Sequence, residues 1–162
     1  MAFLNSIEQL RSVSWGNKYL WDIQFNDSNL LAPFNTWFPA LDVEEELAHV
    51  DSLSWEAGLT SFRVPQKTKS LSLKITFIDD NLTSLLTWIT IWQNQSILNS
   101  GQYVSTVSTA ARMVTILKLN SQRQTIVQTA YWVYPDGTIT FMGNSEGGLQ
   151  TYAVNFVIVG KV

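Results

Sequence analysis

The clearest pattern of apolar and polar positions runs from Leu71 to Gln95. Leu71, Leu73, Ile75 and Phe77 alternate with Ser72, Lys74 and Thr76, the period of a strand with one buried face. Asp79-Asp80-Asn81 follows, three residues whose side-chain oxygens accept hydrogen bonds from the free N–H groups that open a helix. Leu82, Leu85, Leu86, Ile89 and Trp92 then recur at three- and four-residue spacing, which predicts a helix with one apolar stripe. The segment is rich in Thr and Ile, poor helix formers, so the helix relies on packing against a sheet.

The same reading extends along the chain. Phe3 to Ser12 predicts a short helix with Leu4, Ile7 and Leu10 on one face, and Ser14-Trp15-Gly16-Asn17 a turn. Tyr19, Trp21, Ile23 and Phe25 form the aromatic face of a first strand. Asn26 to Asn35 reads as a loop, and Trp37-Phe38-Pro39 as an anchored aromatic segment. Glu44-Glu45-Glu46 reads as a solvated acidic run. Leu47 to Trp55 alternates like a strand. Ala57 to Ser70, with Gly58, Pro65, Arg63, Lys67 and Lys69, reads as an extended arm or long hairpin. Ser96 to Thr109 is a polar loop. Met113 to Leu119 and Thr125 to Tyr134 are strands joined by the turn Asn120-Ser121-Gln122-Arg123. The second is apolar on nearly both faces, so it is central or lies against a neighbour. Pro135-Asp136-Gly137 predicts a turn, Thr138 to Met142 a short strand, Gly143 to Gly148 a loop, and Tyr152 to Val159 the last strand.

The sum is six or seven strands, mostly antiparallel, with one solid helix. The fold class is mainly β (α+β): an antiparallel β-sandwich or small barrel with a flanking helix and a short N-terminal helix. There is no internal repeat, low-complexity tract or linker, and 162 residues suit a single domain over 1–162.

Composition changes this picture in one respect. The chain is 46% hydrophobic and 12% aromatic, with seven Trp, but only 14% charged, against about 25% in an ordinary soluble domain. Such a surface is expected to be covered in part by other subunits. A net charge of −3 argues against phosphate-backbone binding as the main task. The absence of Cys excludes a disulfide framework and thiolate metal sites. The N-terminus lacks the basic start and apolar run of a signal peptide. No window reaches the ~18 apolar residues of a membrane helix, so a soluble protein made in the cytoplasm, without a membrane partner, is expected.

Candidate chemistry is sparse. His49 is the one histidine, and a Ser-His-Asp arrangement would need Ser52 or Ser54 with Asp51. No Gly-x-Ser-x-Gly elbow supports it. Glu44-Glu45-Glu46 and Asp79-Asp80 are the dense carboxylates, and the second pair is explained as a helix cap rather than a metal site. Gly143-Asn144-Ser145-Glu146-Gly147-Gly148 lacks the Gly-Lys-Ser/Thr ending of a phosphate loop. Arg63, Lys67, Lys69, Lys74, Arg112, Lys118 and Arg123 are scattered. The sequence therefore assigns no catalytic residue, no cofactor and no metal, and an enzyme is not expected.

The order of elements resembles the tail tube proteins of contractile-tailed bacteriophages and the related tube-initiator and hub proteins of their baseplates. The resemblance rests on the strand Tyr19-Leu20-Trp21-Asp22-Ile23-Gln24-Phe25, the arm ending Phe62-Arg63-Val64-Pro65, and the helix carrying Leu86-Thr87-Trp88. Tyr131-Trp132-Val133-Tyr134-Pro135 and the last strand, Leu149 to Phe156, complete it. Asn29 to Leu41 departs from it, being longer and more aromatic than a minimal tube subunit needs.

The resemblance implies a structural virion protein in the tail, assembled in the host cytoplasm. It implies a hexameric ring that stacks with others, lies against sheath, hub or a neighbouring ring, and passes DNA as cargo. The second faces of the Leu71 and Leu149 strands are the expected channel lining, and the arm is expected to become ordered against a neighbour. The competing readings are an adaptor or terminator acting through Asn29 to Leu41 or Ala57 to Lys69, and a hydrolase using His49.

Overall fold

The computed structural model describes residues 20–36, 38–66, 70–97, 105–141 and 147–162. The expected N-terminal helix, Trp37, Lys67, Lys69 and most of the Gly143–Gly148 loop lie outside the described residues. The strand foreseen at Leu71–Phe77 is β5 (Ser72–Ile78), and the sheet is built around it. The strands β1 (Trp21–Asn26), β2 (Ala40–Glu45), β6 (Arg112–Leu119), β7 (Thr125–Asp136) and β8 (Thr151–Lys161) join it in the order β1-β6-β7-β8-β5-β2, every pair antiparallel. A separate hairpin pairs β3 (Ser52–Ala57) with β4 (Thr60–Pro65). The chain is thus mainly antiparallel β with one flanking helix, α1 (Ser84–Ile91). That helix runs on as a π-helical turn, Trp92–Ile97, and a last short turn, α2, covers Val107–Ala110.

One face of the sheet makes the core. Ile23, Phe25, Leu73, Ile75, Phe77, Val114, Ile116, Val133, Val154 and Phe156 are buried there under Leu85, Trp88, Ile89 and Trp92. Phe25 is its aromatic hub, with ring centroids 4.8 Å from Phe38, 5.2 Å from Trp88 and 5.6 Å from Phe156, spacings at which tilted and edge-on rings attract. The indole N–H groups find acceptors inside: Trp88 donates to Asp27 Oδ2 at 2.9 Å and Trp92 to the Ala110 carbonyl at 2.7 Å.

The helix start follows its expected chemistry by a longer route. Thr83 occupies the cap position with φ 54° and makes no capping bond of its own. Asp79, buried, accepts from the N–H groups of Leu85 and Leu86 at 3.0 Å each, and Asp80 accepts from Ser84 N–H at 2.8 Å and its hydroxyl at 2.7 Å. The buried stripe is shifted, however. Leu82 is 76% exposed and Trp88 takes its place in the core, because the helix begins only at Ser84 and the turn before it faces solvent.

Four other expectations change. Of the expected strand Leu47 to Trp55, Ser52 to Trp55 belongs to β3 and Leu47 to Asp51 is not strand. Pro135 and Asp136 continue β7 instead of turning. Arg112, at the start of β6, pairs with Val133, so beyond it β7 pairs with β8 alone, and the missing proline N–H falls on an unpaired side. Thr138 to Phe141 forms no strand. The apolar run Thr125 to Tyr134 is central only in its second half: Thr125 to Gln128 is exposed on both faces, whereas Tyr131 and Val133 are buried. Its first half pairs only with β6, because β8 meets β7 from Tyr131 onward.

Candidate assembly interface

Three surfaces remain uncovered among the described residues. The first is the β3–β4 arm. Gly58, at φ +65°, supplies the positive φ that its two-residue turn Gly58-Leu59 requires. Register pairs Leu53 with Val64 and Trp55 with Phe62, so these four side chains share one face, with Ser54, Arg63, Glu56 and Ser61 on the other. All twelve strand residues are exposed. An amphipathic hairpin with nothing on its apolar face is a surface built for a partner. At its root Gln66 N–H donates to the Asp51 carbonyl at 2.7 Å, and His49 Nε2 lies 2.8 Å from Asp51 Oδ1.

The second surface is the sheet face opposite α1. A row crosses four strands there: Glu44 of β2, Lys74 of β5, Asn155 of β8 and Asp136 of β7 are register neighbours. Asp42 and Thr76 pair beside it, and Asp22 carries a further carboxylate on β1. The face carries its carboxylates on β2, β7 and β1, whereas β5 and β8 contribute Ser, Thr, Lys and Asn. It turns apolar where Trp132, 45% exposed, stands on β7. The second faces of β5 and β8, the expected channel lining, carry Ser72, Lys74 and Thr76 on one and Thr151, Ala153, Asn155, Val157 and Val159 on the other.

The third is a groove of about 260 Å³ between α1 and the loop after β1, with Leu30, Leu31, Phe34, Leu82, Trp88 and Ile91 in its walls and no charged side chain. The loop is the Asn29 to Leu41 stretch singled out in the sequence. It turns back through Phe34 and Asn35 N–H bonds to the Leu31 carbonyl and anchors itself with buried Leu30 and Phe38.

The candidate catalytic residues lie at the arm, His49 and Asp51 meeting at its root. Ser52 and Ser54 stand on the exposed arm. The acidic run is not simply solvated: Glu45 accepts the Tyr131 hydroxyl and lies 3.6 Å from Lys118 Nζ, and Glu46 accepts Ser72 N–H at 3.0 Å. Burial and the adjoining Glu45 carboxylate push the Tyr131 phenol up to about 12. Among the described residues no cluster of His, Asp and Glu could hold a metal ion. A cavity of about 600 Å³ at the ends of β5 and β8 is lined chiefly by threonines and glycines. Trp55 is 57% exposed and Trp132 45%.

No protein-family model and no characterised protein sequence matches the chain. Solved structures do. The chain is similar to a component of the sheath–tube complex of the extracellular contractile injection system PVC in its extended state. There the TM-score is 0.62 at 12% identity over 97% of this chain and 96% of that one. It is similar to the tube-terminating cap of the anti-feeding prophage, with TM-score 0.65, 10% identity, and coverage of 91% and 89%. It is similar to a tail component of an empty GTA particle refined with C6 symmetry, with TM-score 0.56, 10% identity, and coverage of 90% and 96%. The fold is that of contractile tail tube, terminator and cap components.

Proposed function

We propose that this chain is a structural subunit of a contractile-type tail. It forms a hexameric ring of the tail tube or of its baseplate-proximal initiating ring. One domain over 1–162 would carry this role, without catalysis, in a virion or virion-like tail assembled in the host cytoplasm. The observation that carries the reading is the arm: a hairpin exposed on both faces, with an apolar row, on a fold shared with tube components. Closing a ring would cover the sheet edges at β1 and β2, which otherwise invite uncontrolled pairing. The face bearing Asp42, Glu44, Asp136 and Lys74 is the channel wall in this reading, and an acidic wall lets DNA pass without holding its phosphates. Partners are further copies, neighbouring rings, and sheath or hub proteins.

Mass in solution with negative-stain images across a concentration series tests this. Tubes identify the repeating subunit, and rings that form only with another tail protein identify the initiator. A monomer at every concentration, alone and with tail partners, removes the proposal. The similarity to a tube-terminating cap favours a second reading, a terminator or adaptor ring. It predicts single closed rings that bind a tube end and never elongate.

A further inference from the structure

We infer that the apolar row of the arm seats in the Leu31–Leu82–Ile91 groove of a second copy of this chain. This rests on the self-assembly reading above and names the contact within it.

The two surfaces match in chemistry. The arm offers Leu53, Trp55, Phe62 and Val64 on one face with Leu59 at its tip, all exposed. The groove presents Leu31 and Leu82, each about three-quarters exposed, with Ile91, and no charged side chain lines it. One surface is a projecting row and the other a recess. Neither has a partner inside its own copy among the described residues.

Their placement decides that the contact joins different copies. The arm lies in the chain between Glu46 and the start of β5, and those two points are held together: Ser72 accepts from Glu46 N–H at 3.1 Å and donates its own N–H to Glu46 Oε2. Leu82 and α1 follow the other end of β5, past Ile78. Seven strand residues hold the two ends of β5 roughly 20 Å apart. Each copy therefore carries a row at one end and a recess at the other. A contact between unlike surfaces is heterologous and repeats from copy to copy, which a stacked or ring-forming subunit needs.

The area is sufficient. Five half-exposed or fully exposed large side chains offer on the order of 100 Å² each. With the groove walls that approaches the roughly 1,000 Å² total at which a specific interface begins. Copies held in a ring repeat the contact, which raises its effective strength.

The chain contains no Cys, so introduced thiols report without background. Thr60 lies on the apolar face of the arm beside Phe62, and Thr87 is an exposed residue of the groove wall. Assembled Thr60→Cys and Thr87→Cys chains, mixed and treated with a short bismaleimide, should give covalent dimers. Either variant alone should not. Thr60→Cys mixed with Ala153→Cys, on the channel-side face, should stay uncrosslinked. In parallel, Leu82→Asp should raise the concentration for half-assembly about tenfold with an unchanged melting temperature, since Leu82 contributes nothing to the core. Dimers from Thr60→Cys alone would mean that arms pair with arms, and overturn the inference. So would normal assembly with crosslinks to Ala153→Cys or with none at all. Those results leave the tail reading standing, whereas a chain that never associates removes both.

Discussion

The Tyr131 hydroxyl donates to Glu45 Oε1 at 2.5 Å, although Glu45 lies on β2 and Tyr131 on β7, with β5 and β8 between those strands in the sheet. Only a strongly curled sheet brings them together. Lys118, on β6, completes the closure from one strand further away, 3.6 Å from Glu45 Oε2. The three side chains tie the edge strand β2 back across the barrel-like curve. Tyr131→Phe should therefore lower stability by about 2 kcal/mol, the loss of one hydrogen bond to a charged acceptor. Glu45→Ala should cost at least as much, because it strips both partners. Urea unfolding of the purified variants reads both, and a neutral result at Tyr131 would show that the curl holds without this bond.

The same pair sets an alkaline limit. The Tyr131 phenol is raised from its ordinary 10.0 to about 12 by burial first and by Glu45 second. Below pH 10 it is protonated in folded and unfolded chains alike, and its contribution is whole. As pH rises from 10 toward 12 the unfolded chain ionises first, so stability falls through that window. Tyr131→Phe should flatten part of the fall in denaturation midpoints measured from pH 9 to 12. Tyr152, raised by burial and then by the Asp79 charge, accounts for the slope that remains.

Asp79 should matter more than Asp80 for the start of α1. Asp79 is buried and accepts three backbone N–H groups, those of Asp80, Leu85 and Leu86. Asp79→Ala leaves them without acceptors and should cost about 2 kcal/mol. Asp80→Ala should cost less, since its partner Ser84 reaches solvent. The Ser84 N–H, then its hydroxyl, hold the Asp80 carboxyl below 3.8. Its contribution is present above that value and disappears as pH falls through the lower folded one. Circular dichroism melts from pH 2 to 7 check both statements.

Leu85 and Leu82 are three residues apart and should respond oppositely. Leu85 is fully buried beneath the sheet, so Leu85→Ala should cost about 2–5 kcal/mol. Leu82→Ala should change the stability of the free chain by less than about 0.5 kcal/mol. Chemical denaturation of the unassembled protein separates them.

Removing the arm should separate folding from assembly. Replacing Ser52–Pro65 with a short Gly-Ser linker should leave the melting temperature of the body within a few degrees, because the six-stranded sheet and α1 bury their core without it. The same deletion should abolish rings and tubes in negative stain. Rings that form normally would move the assembly surface elsewhere.

The sequence by itself determined what depends on neighbours along the chain. Alternation placed β5, β6 and β8 within a residue or two. Asp79-Asp80 announced the helix cap, and Asn120 the turn, where its Oδ1 accepts from the N–H groups of Gln122 and Gln124 at 2.9 Å each. Gly58 and Pro65 marked an arm over Ala57 to Ser70, but its first strand, Ser52–Ala57, read as part of a separate strand. Tertiary structure alone decided which periodic segments found partners. Thr125 to Gln128 reads as interior but runs past the end of β8 and stays in solvent. Glu45 reads as solvated but is drawn to Tyr131 and Lys118 by the curl of the sheet. Leu82 fits the helical stripe but precedes the first helical turn, and Trp88 fills the core instead. Period is a local property of the backbone, whereas burial depends on which distant strand or helix arrives to cover a face. Among the described residues, none covers the arm row or the groove.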